Sequence, residues 1–142
     1  MTVYHAQCSC GTVRIEAEGE PQLQCYCHCN RCRQYSGAPV NAVVLWPRDK
    51  VGFAEGAELV DRVTSEERPS VRLTCAKCHG NLGVDLPHIG MIDIFGGLVR
   101  DLEFLPTLHL NYENAVLPIR DGLPKFKDMP ERAGGSGALM AE

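Results

Sequence analysis

Thiols set one and two residues apart carry the chemistry of this chain. All eight cysteines fall into tight clusters: Cys8-Ser9-Cys10, Cys25-Tyr26-Cys27-His28-Cys29, Cys29-Asn30-Arg31-Cys32 and Cys75-Ala76-Lys77-Cys78. Sulfurs this close along a chain reach one ion readily and bridge one another poorly. Zinc takes four such ligands in a tetrahedron, and eight cysteines suffice for two ions. Cys75-x-x-Cys78 is a two-sulfur clip in a tight turn. The next residue is His79 rather than glycine, and histidine tolerates a left-handed backbone better than most residues. Cys8-x-Cys10 is a second clip, with Gly11 after it. Two such clips make a closed Cys₄ site. That site would tie the N-terminal strand to the middle of the chain, a structural role with no chemistry.

The middle cluster offers Cys25, Cys27, Cys29 and Cys32. Four ligands would saturate an ion. Three would leave a position for a water or an outside thiolate. Spacing does not choose between the two, and ligand counting alone leans to four. Cys32 falls in the first turn of an expected helix, where unpaired N–H groups and a neighbouring Arg31 or Arg33 favour thiolate.

The elements that must hold these thiols read as short strands punctuated by Gly and Pro. Val13, Ile15 and Ala17 alternate with Arg14, Glu16 and Glu18, as in a half-buried strand. Leu23, Cys25, Cys27 and Cys29 share a period of two, so an extended chain aims them to one face. His28 then points the other way, as a packed or hydrogen-bonding histidine rather than a ligand. Asn30 is placed to cap a short helix through Tyr35, with Gly37 beyond its end. Further strands are expected at Val40 to Trp46, Val51 to Phe53, Leu59 to Val63, Val71 to Cys75, Met91 to Phe95 and Leu108 to Tyr112. His109 alternates with Leu108 and Leu110 and is assigned to a polar face. Ala115 to Pro130 carries Pro118, Pro124 and Pro130 and reads as an irregular extended arm. The Gly-rich tail, residues 131–142, would be disordered unless something held it, for instance a second copy in a homodimer. Residues 1–130 thus form one zinc-binding domain of mostly β class, built of short antiparallel strands.

The net charge of −4 over 142 residues, with no basic block, argues against a nucleic-acid surface. No apolar run approaches the ~20 residues of a membrane span, and Met1 to Gln7 does not read as a signal peptide. A cytoplasmic protein is expected, and in that reducing setting clustered cysteines are metal ligands more often than disulfides.

The ordered set Cys8-Ser-Cys10-Gly11, Cys27-His28-Cys29-Asn-Arg-Cys32-Arg33 with Gly37, and Cys75-x-x-Cys78 resembles the glutathione-dependent formaldehyde-activating family, whose domain is shared with centromere protein V. The resemblance runs from about Cys8 to Pro130. It implies an all-β, tent-like fold with two zinc sites: a structural one at Cys8, Cys10, Cys75 and Cys78, and a three-ligand, catalytic one at Cys27, Cys29 and Cys32. Cys25 becomes an extra thiol, still close enough in sequence to complete the second site. The implied activity is that of a carbon–sulfur lyase, the reversible addition of glutathione or a related thiol to formaldehyde or a similar electrophile. Arg33 is the candidate partner for a glutathione carboxylate. With only three protein ligands, the second zinc is expected to be partly occupied. Two rival readings go with the same residues. One is a non-catalytic module with two structural zincs, serving as a glutathione carrier or a protein-interaction domain. The other is a thiol redox switch using Cys25.

Overall fold

The computed structural model describes residues 1–142. In chain order the strands are β1 (Val3–Gln7), β2 (Arg14–Glu18), β3 (Leu23–Cys27), β4 (Asn41–Pro47), β5 (Val51–Glu55), β6 (Val60–Ser65), β7 (Arg68–Cys75), β8 (Asn81–Leu86), β9 (Met91–Ile94) and β10 (His109–Leu110). One α-helix, α1 (Asn30–Ser36), follows β3. The architecture is the mostly β one expected, with short and largely antiparallel strands. β1 and β8 escaped the sequence pattern for a physical reason. β1 buries only Ala6, and β8 is covered on both faces at Leu82 and Gly83, so neither alternates cleanly.

The chain divides into two compact units. The first comprises Met1–Leu23 and Val44–Phe104. In it β1, β2 and β5 form an antiparallel sheet. Its central strand turns Ile15 and Ala17 inward and Arg14, Glu16 and Glu18 outward. Antiparallel pairings β4–β9, β9–β8, β8–β7 and β7–β6 build the rest. Val13, Ile15, Val44, Trp46, Leu73, Leu82 and Ile94 are all essentially inaccessible and make an aliphatic core around the one tryptophan. Gly83 is required on β8, because a Cβ there would lie 1.9 Å from the Asp93 carbonyl oxygen of β9. Asp85 is buried under a two-arginine fork. Arg48 donates through Nε (2.6 Å) and Nη2 (3.0 Å), and Arg62 through Nη2 (2.6 Å). Burial pushes the Asp85 carboxyl up, but these two hydrogen-bonded arginines outweigh it and hold it below its ordinary value.

The second unit comprises Gln24–Val43 and Leu105–Glu142. β10 pairs in parallel with β3, His109 opposite Tyr26 and Leu110 opposite Cys27. The strand expected from Leu108 to Tyr112 shrinks to two residues, because Asn111 turns into the left-handed region (φ 54°) and starts a 3₁₀ turn over Tyr112–Asn114. The Pro-rich arm is irregular, as expected. The tail is ordered by its own chain: Lys127 N donates to Ala138 O and Met140 N to Lys125 O, each at 2.8 Å.

Candidate metal centres

The first cluster is assembled by two turns of the first unit. Between β1 and β2, Gly11 adopts φ 74° and its N–H donates to Cys8 O at 3.0 Å, folding Cys8 and Cys10 to one side. After β7, His79 N donates to Cys75 O at 2.7 Å, and Cys78 N donates to Cys75 Sγ at 3.5 Å. His79 takes up φ 61°, the left-handed geometry expected of it. The four sulfurs of Cys8, Cys10, Cys75 and Cys78 lie within 4.8 Å of one another. Cys8 to Cys10 is 3.5 Å and Cys10 to Cys75 is 3.8 Å. A tetrahedral ion with bonds of about 2.3 Å to sulfur separates its ligands by roughly 3.8 Å, so the spacing and the soft donors both fit zinc. Hydrogen bonds from Ser9 and from the Cys10 N–H hold the Cys78 thiol down to about 5, a ready ligand state.

The second cluster belongs to the second unit. β3 ends at Cys27, the chain stays extended through Cys29 (φ −63°, ψ 151°), and α1 begins. The sequence nominated Asn30 as the helix cap. Cys29 holds that place instead, its Sγ accepting from Cys32 N at 3.3 Å, and Gly37 closes the helix in a left-handed conformation. The sulfurs of Cys27, Cys29 and Cys32 come within 4.8 Å of one another. Cys27 is 6% exposed, and the other two are half-buried. Hydrogen bonds from Cys27 and Cys32 hold the Cys29 thiol far below its ordinary value. The bond to Cys29, with burial, pushes Cys27 up to about 11 against the lowering effect of Cys32, and bonds to Cys27 and Cys29 push Cys32 higher still. Three soft sulfurs within reach of one another could hold a thiophilic ion. Cys25 is fully buried on β3 and stands outside both sulfur groups.

Arg33 donates through Nε to His28 O at 3.3 Å and through Nη2 to Asn30 Oδ1. It therefore braces the cluster's own backbone. It also lines an open cleft with Gln34, Gly37, Ala38, Pro39 and Val116.

Beside this cluster lies a polar chain, buried at its two histidines and its lysine, that sequence reasoning did not find. His28 Nε2 and His109 Nδ1 are 2.8 Å apart, and His109 Nε2 is 2.8 Å from Asp121 Oδ2. Lys125 Nζ donates to Asp121 Oδ1 (2.7 Å) and Leu123 O (3.0 Å) and pairs with Glu142 (3.1 Å). The hydrogen-bonding role read for His28 is what it performs. The polar face read for His109 is wrong: its ring is wholly buried, stacked on Tyr26 and edge-on to Tyr112. The period of two located its face correctly, but that face is covered by the C-terminal arm, which periodicity cannot see. Burial, reinforced by His109 and Lys125, pushes His28 down to about 4, so it is an uncharged packing element at neutral pH. Asp121 lies well below the usual carboxylate range because hydrogen bonds from Lys125 and His109 outweigh its burial. Asp121, Lys125 and Asn111 carried no spacing signal. The fold brings Asp121 and Lys125 to His109 and Asn111 to Cys27.

Among solved structures the chain is similar to the crystal structure of a Rhodobacter sphaeroides protein, with a TM-score of 0.58 and 19% identity over 70% of this chain and 90% of that one. At that identity the likeness concerns the fold. No curated protein sequence matches the chain. The family model described as glutathione-dependent formaldehyde-activating enzyme matches residues 3–113, from the first strand through the residues just after β10. With its ordered cysteine clusters inside that span, the chain belongs to the glutathione-dependent formaldehyde-activating family.

Proposed function

We propose that this protein is a zinc-dependent enzyme of the carbon–sulfur lyase type that adds glutathione, or a related small thiol, to formaldehyde or a similar small electrophile. The observation that supports this most is the asymmetry of the clusters: four sulfurs gathered at one, three at the other. Cys8, Cys10, Cys75 and Cys78 would hold a structural ion, and Cys27, Cys29 and Cys32 a reactive one. When bound at the latter, zinc supplies a vacant position that favours the thiolate form of an incoming thiol. The chain's own residues do the rest. Cys29 caps α1 and so fixes the helix start against β3. Arg33 ties that start to His28 O and Asn30. The His28–His109–Asp121 chain holds in place the one residue between two of the ligands. In the addition the thiol sulfur bonds the carbonyl carbon, the C=O π bond opens, and the oxygen takes a proton as the thiol proton is released. Positioning of the two partners accounts for most of the gain, because the reaction in water is already easy. Residues 1–130 would be the working module, acting in the cytosol, with residues 131–142 as a tail bound to it.

The reaction interconverts free and thiol-bound formaldehyde, so exchange NMR measures its rate at equilibrium. The parent and Cys25→Ala should accelerate exchange equally. Cys29→Ser should abolish the acceleration while retaining one zinc per chain. A parent that holds two zinc ions and does not accelerate exchange would withdraw the enzymatic reading, and loss of one zinc in Cys25→Ala would mean that Cys25 is a fourth ligand of the second site.

A further inference from the structure

Two non-glycine residues in this chain adopt a left-handed backbone, His79 and Asn111, and each stands at one of the two sulfur clusters. His79 is accounted for by the turn that closes Cys75 and Cys78. Asn111 has no clip to close. Its backbone is locked by neighbours: its N–H donates to Asp128 O at 2.8 Å, and its carbonyl accepts from Asn114 N at 3.0 Å. From that fixed point its side-chain Nδ2 lies 3.6 Å from Cys27 Sγ and 3.9 Å from Met129 Sδ. Both contacts of the amide nitrogen are thus to sulfur.

We propose that Asn111 is a positioning residue for the three-sulfur cluster, donating an N–H···S hydrogen bond to Cys27 that lets three thiolates retain a divalent ion without a fourth protein ligand. The inference rests on the metal reading of that cluster. Three thiolates around a doubly charged ion leave one excess negative charge, and partial burial keeps water from dispersing it. Cys29 receives a backbone donor, the N–H of Cys32 at 3.3 Å. Cys27 is 6% exposed and has the Cys29 N–H as its backbone donor, with the Asn111 amide as the side-chain donor beside it. Donors to a ligating atom orient it and relieve its charge, and they strengthen when the acceptor is ionised. A second consequence bears on specificity. An N–H···S bond withdraws electron density from Cys27, which makes the protein's own ligand a poorer target for an aldehyde than the incoming thiol.

Two substitutions separate the donor from the backbone. Asn111→Asp keeps the side-chain shape and a tolerance for the left-handed region but places a carboxylate oxygen against the sulfur. Asn111→Gly keeps the backbone and removes the side chain. Protein loaded with two zinc ions is mixed with a chromophoric chelator, and release of each ion is followed. We expect the more labile ion to leave about 10- to 100-fold faster from Asn111→Asp and about 10-fold faster from Asn111→Gly, with the slower ion unchanged in both. In cobalt-loaded protein the thiolate charge-transfer band of the labile site should shift in both variants, a change that simple loosening of the fold does not produce. Parent-like release from Asn111→Gly overturns the proposal, whatever Asn111→Asp does, because the lost donor then has no effect. A parent that binds one ion only overturns it together with the enzymatic reading. A parent with no thiol-addition activity but with faster release in both variants leaves this proposal standing and removes the other.

Discussion

Asp93 is a carboxyl group placed where the fold penalises its charge. It lies on β9, 5% exposed, and the Val44 N–H donates to its Oδ1 at 3.0 Å. Burial raises its pKa from 3.8 to about 7, and the Val44 donor offsets only part of that. Between those two values the folded chain holds a proton that the unfolded chain has released, so stability contributed by Asp93 declines as pH rises and levels off above about 7. Roughly three pH units at about 1.4 kcal/mol each give a decline of about 4 kcal/mol between pH 4 and pH 8. Asp93→Asn keeps an acceptor for Val44 and cannot ionise. Its amide adds a donor that needs a partner, so the variant need not be more stable at every pH. The prediction concerns the slope. The stability of Asp93→Asn minus that of the parent should grow by about 4 kcal/mol from pH 4 to pH 8. Urea titrations of both proteins at matched pH and zinc measure it, and the difference cancels the pH dependence that the thiol clusters impose on both. Parallel stability curves across that range would refute the argument.

Asp121→Asn should behave in the opposite sense. Its carboxylate is held below the ordinary range, so its contribution is present above about pH 4 and lost in acid. Because Asp121 is itself exposed and an amide oxygen can still accept from Lys125, the variant should lose only about 1 kcal/mol at pH 7 and little at pH 2–3, which the same titrations would reveal. Gly83→Ala should cost about 3 kcal/mol or more in chemical denaturation, because its Cβ meets the Asp93 carbonyl. Gly52→Ala on β5, with nothing within 4 Å of the added carbon, should be neutral or stabilise by about 0.5 kcal/mol.

What the sequence disclosed, and what it did not, follows the range of the interaction. The strand patterns of β2, β3 and β7 were legible because one face of each is buried and the period of two survives in the residue types. β8 was not, since both its faces are covered. The cysteine clusters were legible because ligands of one ion cluster along the chain. The His28–His109–Asp121 chain was not, because its members are 81 and 12 residues apart and meet only after the arm folds over β10. The tail presents the same limit from the other side. Its glycines announce conformational freedom, and nothing local announces the Lys125 and Lys127 backbone groups that capture it.

The two sulfur clusters start from one local device and diverge in what the fold brings to it. In each, a Cys-x-x-Cys turn lets the first sulfur accept the N–H of the second cysteine, Cys32 N to Cys29 Sγ at 3.3 Å and Cys78 N to Cys75 Sγ at 3.5 Å. After Cys78 the chain reverses at once through His79, and a second clip meets it from the loop between β1 and β2, 65 residues away at Cys10 and Cys75. After Cys32 the chain continues as α1, and Cys27 alone joins from β3. Cys25 shares Cys27's face, but both lie within the regular strand β3, where that spacing is a rise of about 6.6 Å; Cys29 lies past the strand's end, where the chain turns into α1 and its sulfur comes back to Cys27. The alternation that made Cys25 an attractive fourth ligand on paper is thus the geometry that separates it from the cluster. On the proposed function the second centre stays open because β3 remains a strand through Cys27, so a change that frays that strand should bring Cys25 in as a fourth ligand and abolish the exchange acceleration.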